Sequence, residues 1–311
     1  MQPRENSKVR ARSVGGLLAL CLIWAWASLR SDLLPGYSTA FRLLPLAAEA
    51  SLLGLFAILA ALVALIGSAL WPKSNELGSA ALVGLGLFVV PALLTDGSRE
   101  WVDASTRVAL FSLTPLFAVV FEPYLGRENA SAPHHGFAAP LLALVGTLLV
   151  FSIDIPHSAA SGLAFLGVIV AAASVAAANC IGVRVVSRAS PGLSLAFAAI
   201  ATACAALVLG LAAAVFRAQP GTTIPVDAWS ALELVALTLL FWLMRTMSAV
   251  QMTTRFLIAP LLANLAAVAF LHPAVGARGW TGMLLIAIAS GWLLLAHEDE
   301  PERTGSSVVI S

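Results

Sequence analysis

Long apolar runs alternate with short polar breaks along the whole chain. Ten runs approach the roughly 20 residues that a helix needs to cross a bilayer. They fall near 14–29, 47–70, 77–95, 104–123 and 136–153, then 161–183, 192–216, 229–245, 252–271 and 279–296. The runs do not alternate apolar and polar residues as transmembrane strands do, so they predict helices. The breaks carry turn chemistry: Pro72 with Asn75, Asp96-Gly97-Ser98, Ser131-Ala-Pro133, Ser190-Pro191-Gly192 and Pro220-Gly221.

Two of these runs are alike. Phe111-Ser-Leu-Thr-Pro115 leads into small and apolar residues, and so does Phe256-Leu-Ile-Ala-Pro260. Each follows a polar stretch and leads to a Gly-containing loop and a further run. They lie five runs apart, an odd number, so the copies would cross in opposite directions, as inverted transporter repeats do. The pattern predicts an all-α integral membrane fold of ten transmembrane helices in two inverted five-helix repeats. Residues 14–155 and 156–296 would be the repeats, with a cytoplasmic tail at 1–13 and a flexible one at 297–311.

Composition agrees with the pattern. Of 311 residues, 60% are hydrophobic and 11% charged, with mean hydropathy +0.94; soluble domains are about 25% charged. A net charge of +1 gives no case for nucleic-acid binding. Cys21, Cys180 and Cys204 lie in apolar runs with no metal-ligand spacing, and read as small packing residues. With a cytoplasmic N-terminus, the Lys and Arg residues near loops divide 11 inside to 6 outside, which favours both termini in the cytoplasm. The four basic residues before residue 13 carry most of that signal. Ala25-Trp26-Ala27 after an Arg-rich start also resembles a signal-peptide cleavage site, but cleavage there would break the five-plus-five symmetry.

The chain resembles the drug/metabolite transporter superfamily, in its ten-helix branch with two EamA-type repeats. The resemblance covers about 14–296 and rests on Pro115, Gly126-Arg-Glu128, Gly136 and Gly146 in the first half. In the second half it rests on Pro260, Gly279 and Gly282, with His272-Pro273 standing where the Glu would be. Phe41-Arg42 resembles the opening of the family's second helix, and Trp24 matches an aromatic of its first. The stretch from Arg42 to Leu70 is longer than a simple second helix, so an irregular entry is expected around Pro45. The resemblance implies a secondary transporter that moves, and exports, an amino-acid-like metabolite across the bacterial inner membrane by alternating access. Its partners would be that small molecule, the bilayer and a second copy of the chain. No cofactor is implied.

Polar groups inside a bilayer cost about 2.5–3.5 kcal/mol for Arg or Asp at a helix centre, which makes them site candidates. Glu49 is the one carboxylate leading a long apolar run; it reads as a coupling group or as a partner of Arg42. Arg107, eight residues before Pro115, either anchors a substrate anion, or snorkels to the interface or pairs with Asp103. Asn179, Gln251 and Asn264 read as interhelical hydrogen-bond groups or as cavity lining. Trp24 and Trp242 are candidate cavity walls, with indole N–H donors. Arg245 and Arg255 flank a turn and read as positive-inside anchors. The small-residue run Val170–Asn179 suits close packing and, in a transporter, sliding.

The five histidines lie at loops or ends without metal-ligand spacing, so no metal is expected. No P-loop, G-x-S-x-G or H-E-x-x-H occurs. That argues against an ATP-driven pump or an intramembrane hydrolase, and no enzyme activity is expected. The alternatives are a membrane-embedded enzyme or lipid-handling scaffold, or a structural or sensory membrane protein. The small four-helix relatives couple to protons through a carboxylate in helix 1. Here the first run has none, so transport would be facilitative or coupled elsewhere, with Glu49 the candidate.

Overall fold

The computed structural model describes residues 3–33, 45–67, 72–126, 136–215, 228–272 and 275–295. Among these the secondary structure is helical throughout, with no strand. The helices are α1 Pro3–Leu33, α2 Pro45–Ile66, α3 Ser74–Gly84, α4 Val90–Gly97, α5 Ala104–Phe111, α6 Thr114–Leu125 and α7 Ala138–Val150. They continue as α8 Ala159–Val186, α9 Pro191–Val215, α10 Ala228–Thr246, α11 Ala249–Thr253, α12 Arg255–Leu271 and α13 Ala277–Leu295. Seven stretches among the described residues are long and apolar enough to cross a membrane: Leu46–Ile66, Glu76–Gly97, Ala104–Leu125, Ala159–Val186, Pro191–Val215, Ala249–Leu271 and Ala277–Leu295. The protein is an all-α, multi-pass membrane protein. Its exposed large apolar side chains, such as Ile58, Ile66, Leu207, Val215 and Leu284, supply a lipid-facing surface.

Three of the predicted runs are interrupted, and each interruption has a local cause. Between α3 and α4 the chain makes a π-helical turn at Leu85–Val89. There the Ser174 hydroxyl of α8 donates to the Gly86 carbonyl at 3.1 Å. Pro115 breaks the next run, because its ring would clash with the carbonyl four residues back. That carbonyl, of Phe111, accepts instead from the Thr114 hydroxyl at 2.6 Å. The third break is at Thr254, between α11 and α12; its hydroxyl donates to the Gln251 carbonyl at 2.6 Å. Local side-chain bonds thus satisfy backbone groups that lipid could not.

The helices pair closely. α2 lies along α9, and α7 lies along α13. α1 packs on α10 and α12, while α8 packs on α3, α4 and α6. The α7–α13 contact is backbone on backbone: a Cβ at Gly146 would stand 2.8 Å from the Gly282 carbonyl oxygen, and one at Gly282 would stand 2.6 Å from that of Gly146. Only glycine permits this approach. α1 begins at Pro3, so residues 3–13, expected as a tail, continue the first helix. Arg10 of α1 donates through Nη2 to the Leu294 carbonyl at 2.8 Å, at the C-terminal end of α13. Pro45 opens α2, where a missing N–H costs nothing. Arg42, Glu128, Pro273 and the C-terminal tail lie outside the described residues.

Candidate functional site

The two helices broken beside Thr114 and at Thr254 meet across one cavity of about 550 Å³. Phe111 ends α5 and Phe256 begins α12, and their rings stack with centroids 5.7 Å apart. Apolar side chains make most of the wall: Val108, Phe151, Ala259, Pro260 and Ala263 join the two phenylalanines. Among the described lining residues there are two cations, Arg107 and Arg255, and no carboxylate. Thr95 and Asn264 complete the polar lining, and Trp24 of α1 closes one side. At Ala104 the cavity reaches an exposed position beside the Asp96–Asp103 turn.

Arg255 is the largest of the fully buried side chains, with 2% of its surface exposed. Its Nη1 donates to the Asn179 side-chain oxygen at 3.1 Å and to the Met252 carbonyl at 3.3 Å. Asn179 is held in turn, since its Nδ2 donates to the Val175 carbonyl one turn back at 2.7 Å. The guanidinium carbon lies 4.8 Å from the Phe256 ring centroid and 5.5 Å from that of Trp24. Arg255 Nε is buried without a hydrogen-bond partner. No carboxylate among the described residues forms an ion pair with it. Rings and neutral acceptors therefore hold a cation whose charge no described carboxylate compensates.

Arg107 stands nearer the mouth, half-buried and within electrostatic reach of Arg99, Asp103 and Asp96. The alternative Arg107–Asp103 pair does not form. Asp103 instead caps α5, accepting from the backbone N–H groups of Ser105 and Thr106 and from the Ser105 hydroxyl. Burial is the largest single influence and opposes its ionisation, but these bonds together outweigh it and hold its carboxyl below the usual carboxylate range. Arg107 Nη1 is left buried without a hydrogen-bond partner.

Of the residues singled out in the sequence, Trp24, Arg107 and Asn264 line the cavity, and Asn179 stands behind Arg255. The Asn264 amide donates to the Pro260 carbonyl at 2.9 Å. Three candidates stand elsewhere. Gln251 is taken up by a helix cap: its side-chain oxygen accepts from Ser248 N–H at 3.2 Å, and its own N–H donates to the Ser248 hydroxyl at 3.3 Å. Trp242 packs on α1, its ring filling the space at Gly16, where a Cβ would come within 2.7 Å. Glu49 lies on α2, away from the cavity lining and within electrostatic reach of Glu233 of α10. Arg255, read as an interfacial anchor, is the buried centre of the site. His157 lines a separate surface hollow of about 410 Å³ with Glu100 and Asp154. Among the described residues no group of His, Cys, Asp and Glu side chains could hold a metal.

No family model matches this chain, and no curated protein matches it. Sixteen chains of known structure do. One, described only as "Crystal structure of protein", shares the fold with a TM-score of 0.68 at 15% identity, covering 92% of this chain and 98% of its own. The likeness is one of fold.

Proposed function

We propose that the chain is a secondary transporter of the drug/metabolite type, with ten spans in two inverted five-helix repeats. In this reading it moves a small organic metabolite across a bacterial inner membrane by alternating access, with both termini cytoplasmic. The observation that carries it is the cavity between two interrupted helices, each supplied by one half of the chain. The frame of those helices repeats. Their capping residues Asp103 and Ser248 each precede the proline, Pro115 or Pro260, by twelve positions, and the stacked Phe111 and Phe256 each precede it by four.

The packing supports the same pairing. Counting α3–α4, α5–α6 and α11–α12 as one span each, α2–α9 and α7–α13 join corresponding spans of the two halves. The α1–α12 contact has its counterpart in α8–α6, and α1–α10 has its counterpart in α8 against α3–α4. A pseudo-two-fold relation generates such a set. Rocking one half on the other would carry the cavity from one face to the other.

Purified protein in proteoliposomes tests the reading. Counterflow of at least one small metabolite, lost when Ala263→Phe fills the cavity, is the expected result. Tight liposomes that move none across a broad metabolite panel would sink it. An imposed pH gradient with Glu49→Gln then separates coupled from facilitative transport: coupled uptake lost in the variant assigns the role to Glu49, and indifference to both removes it.

A further inference from the structure

We propose that the cavity binds organic monocarboxylates with an apolar, planar body, and that Arg255 is the residue that grips the carboxylate. This deepens the transport reading and rests on it for the site's role, while the binding itself is testable alone.

The charge balance points there first. Arg255 is 2% exposed, pairs with no described carboxylate, and keeps an unpartnered Nε in the wall of a mostly apolar cavity. A lone buried cation is costly unless something compensates it. Asn179, Met252 and the faces of Trp24 and Phe256 offset only part of that cost. A carboxylate entering the cavity would supply the missing charge and accept from the guanidinium edge. Arg107 is the weaker grip, because it is half-buried near the mouth and Asp103 and the Asp96–Arg99 pair lie within reach, so carboxylates already offset part of its charge. Its unpartnered Nη1, near the mouth, suits a first contact for an anion on its way in.

The remaining lining sets the rest of the ligand. Phe111, Phe151, Phe256 and Pro260 offer flat apolar surface to a ring. A volume of about 550 Å³ suits a molecule of one or two rings. A substrate ammonium would meet no carboxylate among the described lining residues and would face two arginines. A zwitterionic amino acid should therefore bind less well than the acid that lacks its amino group. A doubly charged phosphate ester gains from both arginines but loses more on leaving water.

Two readouts test this. Binding to the purified full chain is measured by thermal shift and calorimetry with benzoate, phenylacetate and indole-3-acetate. Phenylalanine, tryptophan, benzylamine and inorganic phosphate are the comparisons. The aromatic acids are expected to bind at least about tenfold more tightly than the matching amino acids, and benzylamine not at all. Arg255→Gln should weaken acid binding about a hundredfold, Arg255→Lys should restore little of it because the planar fork is lost, and Arg107→Gln should weaken it only several-fold. Should Arg255→Gln fail to fold, Ala263→Phe serves instead: it should exclude indole-3-acetate while sparing Arg255. Flux of the same compounds in proteoliposomes is the second readout. Acids that bind while no compound of a broad metabolite panel is moved would uphold this inference and overturn the transport reading. Flux of amines or neutral compounds with no acid binding would do the reverse. Equal affinity for phenylacetate and phenylalanine, or acid binding untouched in Arg255→Gln, overturns the proposal.

Discussion

The helix pair α5–α6 and the helix pair α11–α12 are built on one frame and carry their cations at different depths. Both pairs start from a side-chain cap twelve residues before a proline, and both present a phenylalanine four residues before it. Arg107 lies four residues past its cap, half-buried near the mouth; Arg255 lies seven past its own and is buried at the cavity wall. In register, Arg107 corresponds to Met252 and Arg255 to Leu110. A shared frame thus fixes where the helices break and where the aromatic rings meet. The residues that differ between the copies decide what the cavity can hold.

Exchanging each cation for its counterpart is the strongest way to break the comparison. Arg255→Leu should abolish binding and flux of anionic substrates, a loss of about a hundredfold or more. Its fold should survive: removing an uncompensated charge offsets much of the cost, about 1–3 kcal/mol, of leaving the Asn179 oxygen without its donor. Arg107→Met should cost only several-fold in half-saturation with the maximal rate unchanged. If the two exchanges cost the same, depth is not what separates the two arginines.

Asn179→Asp sharpens the point by giving Arg255 an internal counterion at the present hydrogen-bond distance of 3.1 Å. The gain of an ion pair is set against the loss of the 2.7 Å bond to the Val175 carbonyl, which a carboxylate cannot donate, so the melting temperature should move by no more than a few degrees. Anion binding should fall about tenfold or more, because the carboxylate already occupies the guanidinium. A variant that is destabilised and still binds anions would show that the pair is unused. The stacked rings come next in size. Phe111→Leu and Phe256→Leu should each weaken binding of aromatic ligands a few-fold, since an aromatic contact contributes about 0.5–1.5 kcal/mol beyond its area. Phe256→Leu should be the larger effect, because that ring also lies 4.8 Å from the Arg255 guanidinium. Calorimetry on the two variants measures the order.

The helices were legible in the sequence because lipid leaves the backbone little choice once an apolar run is long enough. The run placed at 136–153 is α7, Ala138–Val150, and that at 161–183 is α8, Ala159–Val186. The site was legible only in part. A ninth run starting at 252 puts Arg255 near a helix end, where the positive-inside rule explains it away. Helix α11 in fact begins at Ala249, capped by Ser248 and Gln251, so Arg255 lies seven residues inside the cap, and it is buried. Ser248-x-x-Gln251 is a capping signature and was the available signal. The same cap engages Gln251, one of the hydrogen-bond or cavity-lining candidates, and precedes the buried Arg255 on the chain. Arg107 was easier to place, because Asp103 marks its helix start plainly. Which partner each side chain prefers is settled by competition in three dimensions, and i,i+4 spacing does not express it: Asp103 caps the backbone and leaves Arg107 to the cavity.

The smallest effect separates the two caps. Asp103 titrates and Ser248 does not, so only the first broken helix should respond to acid. Hydrogen bonds from Ser105 and Thr106 hold the Asp103 carboxyl below its ordinary value of 3.8. A lowered folded-state value contributes stability above the unfolded value, and that contribution is lost as pH falls through the folded one. Asp103 is largely exposed, so screening trims its charge contribution, and the cap as a whole is worth at most about 1 kcal/mol. Asp103→Asn keeps a capping oxygen but removes the titration. Its melting temperature should lie slightly below the parent's at neutral pH and converge with it as pH falls through the lowered folded-state value. Hydrogen exchange of the Ser105 and Thr106 amides localises the change. Their protection should fall in acid in the parent and stay flat in Asp103→Asn, while Gln251 N–H, which bonds the Ser248 hydroxyl, should keep its protection in both. Loss of protection at Gln251 together with Ser105 would mean that the two broken helices open as one unit, and their separate caps would then not set their local stability.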